Sequence, residues 1–314
     1  MHGQCRRSME VAMRERIRCT LGLLLLAAAG CSPGSGSGDG EAVVADGGGT
    51  AAVGGAAMQE GAIPPGAEDA VSRLRASPRH GEWAVIPAGA GDSVRAWVVY
   101  PERSDPAPVV LVVHEIYGLT HWVRAVADQL AADGFIAIAP DLLTGADVPA
   151  DPSAEPDPEA AVRAIRELDP ADVHRRLSAA AAWGTALPAA TDRYGIIGFC
   201  WGGNVAFEHA VRAPELDASV VYYGPSPDPS SLASVRAPVL GLYAGDDARV
   251  NATVPPVQSA MRELGKVYEV RTYDGAGHGF LRQQNGRDGA NRAASKAAWP
   301  ETVRWLRTYL EGGG

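Results

Sequence analysis

Basic clusters are missing from this chain of 314 residues, whose formal charge at pH 7 is −9. Nothing in it therefore draws the protein by charge to nucleic acid or to anionic lipid headgroups. Metal-ligand spacings are missing as well. None of the seven histidines stands in a His-x-His or His-Glu-x-x-His pattern, the arrangements that aim two imidazoles at one ion. The glycine-rich stretch before residue 65 is not followed by Lys-Ser or Lys-Thr, so it does not cradle phosphate, and no cofactor fingerprint occurs elsewhere. The expectation is an enzyme or binding domain with neither metal nor cofactor. A repeat of solenoid length is absent too. What is present is 46% hydrophobic residues, enough to bury the core of one domain of about 245 residues.

Cysteine is also scarce, and its placement is informative. The segment Met13–Cys31 opens with arginines, continues with a short leucine and alanine run and ends in small residues ahead of Cys31. That is the architecture of an export signal, with an apolar run too short to span a bilayer. Ala28-Ala29-Gly30-Cys31 resembles a bacterial lipobox, with Ala28 where leucine is usual. The expectation is a signal peptide over residues 1–30 and a mature chain that starts at Cys31. A lipid on that residue would anchor the exported protein to the bacterial membrane, and an ordinary secretory signal is the alternative. Met13 begins a better-shaped signal than Met1 does. Residues 31–67 hold too few large apolar side chains to offset the entropy of ordering and read as a flexible tether. Of the four cysteines, only Cys200 then falls in the folded domain, residues 68–314, which rules out a disulfide within the mature monomer. A lone thiol in an exported protein is open to oxidation and needs a chemical reason to be there.

From residue 80 onward, apolar runs alternate with helical patterns, the mark of an α/β sheet with crossover helices. Trp83–Pro87 and Ser93–Tyr100 read as an opening antiparallel pair. Val109–Val113, Phe135–Ala139, Tyr194–Gly198, Ala218–Tyr223, Pro238–Tyr243 and Val267–Tyr273 read as strands. The β-branched run Val109–Val113 should be buried on both faces. Helices are expected over Thr120–Asp133, Pro158–Leu168, Ala171–Trp183, Gly203–Arg212, Val254–Leu264 and Ala293–Leu310, with Val148–Pro158 as a surface excursion.

One strand leads straight into chemistry. Tyr194–Gly198 runs through Phe199 into Cys200-Trp201-Gly202-Gly203, a Gly-x-Cys-x-Gly turn of the kind that holds a nucleophile on a sharp bend between strand and helix. A sulfur near the start of that helix would feel a partial positive charge that favours thiolate. Further on, one strand ends in Gly245-Asp246-Asp247 and the next in Asp274-Gly275-Ala276-Gly277-His278. Nucleophile, acid and histidine thus follow in α/β-hydrolase order, past strand ends where open α/β sheets place their sites. His278 would move the thiol proton, while Asp246 or Asp247 fixes its tautomer.

With these residues on the page, the chain resembles the dienelactone hydrolase family over residues 80–312. The likeness rests on His114-Glu115-Ile116-Tyr117-Gly118-Leu119, Ala139-Pro140-Asp141-Leu142, Gly198-Phe199-Cys200-Trp201-Gly202-Gly203 and Gly277-His278-Gly279-Phe280. The resemblance implies an α/β-hydrolase fold, a mostly parallel central sheet with helices on both faces. It implies hydrolysis of a small-molecule ester or lactone by a Cys200–His278–Asp247 triad through a thioacyl-enzyme, Asp247 fitting the family spacing better than Asp246. It implies that Glu115 meets the resting cysteine and helps to ionise it, and that the backbone N–H groups of Ile116 and Trp201 form the oxyanion hole. It also implies a carboxylate-binding arginine at Arg282. The family's second arginine, shortly after Pro-Asp-Leu, has no counterpart in Asp141-Leu142-Leu143-Thr144-Gly145, which argues against dienelactone itself as the substrate. Tyr117, Trp201, Tyr223 and Phe280 are expected in an apolar pocket wall. A thiol-dependent acyltransferase and a non-catalytic tethered binding protein remain alternatives on the same fold; retention of both Cys200 and His278 argues against the second.

Overall fold

The computed structural model describes residues 62–148 and 154–312. Cys31, the signal and most of the expected tether lie outside the described residues. Among those residues, no helix is long and apolar enough to cross a membrane.

One eight-stranded sheet organises the domain, in the order β1-β2-β4-β3-β5-β6-β7-β8. The strands are β1 Gly81–Gly89, β2 Asp92–Val99, β3 Ala107–Val113, β4 Ile136–Asp141, β5 Ala190–Phe199, β6 Ala218–Tyr222, β7 Val239–Asp246 and β8 Tyr268–Gly277. β1 and β2 form an antiparallel hairpin, β2 pairs antiparallel with β4, and every pairing from β4 to β8 is parallel. The helices are α1 Ala70–Ala76, α2 His121–Ala132, α3 Pro158–Glu167, α4 Pro170–Thr185, α5 Trp201–Arg212, α6 Ala248–Asn251, α7 Val254–Glu263 and α8 Ala290–Leu310.

The strand pleat divides the core between the two faces. Val110 and Val112 of β3 pack with α2 and α8, whereas Val109, Leu111 and Val113 pack with α4, α5 and α7. All seven residues of β3 are buried, which is why an unbroken apolar run rather than an alternating one encodes it. Leu111→Ala would cost about 2–5 kcal/mol through lost transfer energy and the cavity left behind. The helix starts follow from local chemistry. Thr120 accepts the Val123 N–H at 3.4 Å, Asp157 the Ala160 N–H at 2.7 Å and Asp169 the Ala171 N–H at 2.8 Å. Such caps contribute about 1 kcal/mol each.

Three features depart from the sequence reading. β4 continues through Pro140 to Asp141, because its pairing with β3 stops at Ile138 and only β2 flanks the proline; a missing N–H is tolerated where one neighbour is lost. The short helices α1 and α6 have too few turns to show a period. Residues 62–67, expected in the tether, pack onto the domain. Pro64 and Pro65 are buried, and their carbonyls accept hydrogen bonds from Gln284 at 2.8 Å and Trp122 at 3.1 Å. The two prolines have little backbone freedom to lose.

Candidate active site

The C-terminal ends of β3, β5, β6, β7 and β8 deliver the residues singled out above to one edge of the sheet. Cys200 lies between the last residue of β5 and the first of α5, at φ 57° and ψ −116°. A non-glycine residue in such a conformation costs about 1–3 kcal/mol and persists only where its surroundings enforce it. Here they do. Its N–H donates to the Tyr222 carbonyl at 3.0 Å, and its own carbonyl accepts from Gly203 and Asn204 at 3.0 and 3.2 Å. The flanking glycines are sterically required: a Cβ on Gly198 would lie 1.9 Å from the Gly202 carbonyl oxygen, and one on Gly202 2.3 Å from that of His114.

The thiol is not ionised by this setting. Burial, followed by the negative charge of Glu115, pushes the Cys200 pKa up to about 11, against opposing pulls from the Trp201 N–H, Arg249 and Arg282. A helix terminus contributes typically 0.3–1 kcal/mol, and desolvation outweighs it. The expected preference for thiolate is thus reversed in the free protein. Among the described residues, no hydrogen bond joins the Cys200 side chain to His278 or to Glu115.

His278 follows β8 directly. Its Nδ1 donates to Asp247 Oδ2 at 2.5 Å, while Asp247 Oδ1 accepts the Val250 N–H at 3.5 Å and so caps α6. Asp247 is buried and the His278 side chain is 34% exposed, an orientation that leaves Nε2 to face a reactant. Asp246 points elsewhere, to an ion pair with Arg287. Of the two adjacent aspartates, Asp247 is the one that meets His278.

Glu115 is buried and bonded to Arg282, Nε to Oε2 at 2.5 Å. Its expected partner was the resting cysteine, but the guanidinium offers a charge-assisted bond that a neutral thiol does not. Burial pushes the carboxyl pKa upward, and Arg282 opposes it. The Arg282 guanidinium also lies 5.3 Å from the Tyr117 ring centre. Ile116 and Trp201 are half-buried, and neither backbone N–H enters a hydrogen bond to another backbone group among the described residues. Tyr223 is fully buried at φ 40°, with its hydroxyl unpartnered and its ring 5.2 Å from that of His278. Phe280 was expected in the pocket wall. It is instead fully buried against Tyr222, Tyr223 and Tyr273, because the turn after His278 directs its ring into the core.

Two contributors escaped the sequence reading. His114 is buried, and burial lowers its pKa, so it is a neutral ring. Its Nδ1–H donates to the Glu115 carbonyl at 2.7 Å, Nε2 accepts from the Leu142 N–H at 3.3 Å, and the Trp201 indole stacks on it at 5.5 Å. It ties the β3 loop to the turn after β4; the sequence showed it only as the first residue of the His114–Leu119 motif, without a role. The second is the N-terminal segment, where the Ala67 N–H donates to the Arg282 carbonyl at 2.9 Å. That contact joins residues far apart in sequence and left no local pattern.

A mostly parallel sheet with helices on both faces and a strained residue at the β5–α5 turn defines an α/β-hydrolase fold. The model of the dienelactone hydrolase family matches residues 94–310, and the chain belongs to that family, hydrolases that act on esters or lactones. A Salmonella typhi protein named "Putative carboxymethylenebutenolidase" is 31% identical over 264 residues, covering 78% of this chain and 96% of its own. Dienelactone hydrolase from Anabaena variabilis superposes with a TM-score of 0.56 at 25% identity, covering 74% of this chain and 99% of its own. A dienelactone hydrolase-like promiscuous phosphotriesterase from metagenomic libraries gives 0.62 at 25% identity, with the same coverage.

Proposed function

We propose that this protein hydrolyses a small carboxylic ester or lactone through a thioacyl-enzyme on Cys200, with His278 and Asp247 completing the triad. The observation that carries the reading is the strained Cys200 turn on the same sheet edge as the His278–Asp247 hydrogen bond. In the free protein the thiol keeps its proton. An anionic or strongly hydrogen-bonding substrate that draws Arg282 away leaves Glu115 as a buried, unpaired carboxylate, a stronger base that takes the Cys200 proton. The thiolate sulfur then forms a bond to the acyl carbon, whose oxygen gains charge facing the Ile116 and Trp201 N–H groups. Donors so placed contribute roughly 2.7–4 kcal/mol each in measured cases. As the C–O bond breaks, the leaving oxygen takes the proton that Glu115 holds; His278 Nε2 then removes a proton from the water that adds to the thioester carbon and returns it to the sulfur as the C–S bond breaks, which frees the acid and restores the Cys200 thiol. Asp247 holds the Nδ1–H tautomer throughout.

The names carried by its relatives support a lactone or ester substrate. Dienelactone itself is not proposed, because no arginine follows Asp141-Leu142. Neither the acyltransferase nor the non-catalytic reading gains support from the comparisons. From the sequence alone, the proposed location is the bacterial cell envelope, with lipid on Cys31. The test is a screen of the full chain on p-nitrophenyl esters and small lactones beside Cys200→Ala. Turnover lost in the variant is the expected result; equal turnover in both sinks the reading.

A further inference from the structure

Beside the nucleophile turn lies an apolar contact that the proposed chemistry does not use. Leu143, Ala161 and Ile165 form a small buried cluster, and Ile116 and Trp201 pack against it. Trp201 follows Cys200 in the chain, and its indole also stacks on the His114 ring. The cluster therefore borders the turn that carries the thiol. Its two halves are secured differently. Leu143 sits in a fixed turn: its N–H donates to Asp141 Oδ1 at 3.3 Å, and Arg176, itself paired with Asp92, donates to the carbonyls of Leu142 and Thr144 at 3.0 Å each. Its side chain reaches over the Glu115–Leu119 loop, where a Cβ on Gly118 would lie 3.1 Å from Leu143 Cδ1. Ala161 and Ile165 come from α3, whose charged residues Glu159, Arg163, Arg166 and Glu167 are exposed and make no ion pair or side-chain hydrogen bond among the described residues. Apolar packing is what keeps its inner face in place.

Space lies on the other side of that helix. Ala160, Arg163 and Ala164 of α3 line a cavity of about 650 Å³ together with Thr144, Asp147 and Arg176, so no packed layer backs α3 there. An acyl group carried on the Cys200 sulfur stands beside Trp201, and any hydrocarbon part directed toward α3 meets Leu143 and Ile165. A close-packed contact has no slack for extra methylenes, so a larger group must displace a side chain. From this geometry we infer that Leu143 and Ile165 are specificity-determining residues that limit acyl size: a short, uncharged hydrocarbon group fits beneath α3, and a bulky one is rejected. This deepens the proposed hydrolase reading and rests on it for the word substrate. It turns the hydrocarbon part of that substrate to α3 and leaves Arg282 to its polar part.

The test compares two alkylating reagents that share a reacting group and differ by a phenyl ring, iodoacetamide and iodoacetanilide, with labelling of the full chain followed on the Cys200 peptide. Thiol ionisation affects both reagents equally and cancels in their ratio, which leaves the room around the sulfur as the quantity read. Ile165→Ala should raise the iodoacetanilide-to-iodoacetamide rate ratio about tenfold, the lower end of what one methylene decides in an apolar pocket, and the milder Ile165→Val should raise it by less. Ile165→Phe should lower the ratio below that of the unaltered chain, which a mere loosening of α3 would not do. The kcat/KM ratio of 4-nitrophenyl octanoate to 4-nitrophenyl acetate should move in the same directions. A labelling ratio unchanged by Ile165→Ala, or not lowered by Ile165→Phe, overturns the inference. Because alkylation needs no turnover, a size-sensitive labelling ratio in a chain that cleaves no ester would refute the hydrolase reading while leaving the size limit at Cys200 standing.

Discussion

The two halves of the site are held by different kinds of contact. On the Cys200 side the backbone does the work: glycine clearances of 1.9 and 2.3 Å and a hydrogen bond to Tyr222 impose the turn, and the thiol within it stays protonated. On the other side, side chains hold side chains. Asp247 holds His278, and Arg282 holds Glu115. Cys200 is thus held in position with its proton on, while the acid and base groups around it meet through side-chain hydrogen bonds. On the proposed mechanism, a rigid elbow facing exchangeable partners would keep the lone thiol unreactive until a charged substrate enters.

The comparison breaks most severely at Asp247. Asp247→Asn should lower turnover by about 10⁴-fold, the size seen when a triad histidine is left in the wrong tautomer. Asp246→Asn, which only loses a surface pair with Arg287, should change kcat/KM by about twofold or less. A steady-state assay of both variants settles the ranking, and the opposite order would remove Asp247 from the triad.

Glu115→Gln sharpens the same contrast with a smaller effect. Glu115 raises the Cys200 pKa, so removing its charge should lower that pKa and speed iodoacetamide labelling at pH 8. Turnover should nonetheless fall, by about 10²-fold, because the proton acceptor is gone. In the unaltered protein, labelling should be slow at neutral pH and rise about tenfold per pH unit toward pH 11 as thiolate forms. Rapid labelling at pH 5 would mean a permanent thiolate–imidazolium pair instead.

The smallest effect on catalysis concerns the anchor. Cys31→Ser should move the protein from the membrane fraction to the soluble one with its esterase rate unchanged, since more than one acyl chain on that residue is needed for stable attachment. Unaltered fractionation would remove the lipid-anchor proposal.

The same division explains what could be read from the sequence. Gly198 and Gly202 were legible because steric exclusion leaves only glycine at each position, Cys200 because it stands between them as the lone thiol of the folded domain, and β3 because burial on both faces demands an unbroken apolar run. The assignment of Asp247 over Asp246 rested on family spacing alone; their neighbours are too alike to separate them. The Glu115–Arg282 pair was invisible because each residue was assigned a different partner, and only their juxtaposition shows that they satisfy each other. Residues 62–67 read as tether because Ala62-Ile63-Pro64-Pro65 has little local structure of its own. Its order comes from Gln284, Trp122 and Arg282, which no local pattern encodes.

The central claim is the thioacyl-enzyme on Cys200, and the direct measurement is acid-quenched mass spectrometry during turnover of a slowly hydrolysed p-nitrophenyl ester. The account predicts a peptide containing Cys200 that gains the mass of the acyl group and loses it to neutral hydroxylamine, as a thioester does. Turnover at full rate with no acyl group on Cys200, and with Cys200→Ala still active, would contradict it.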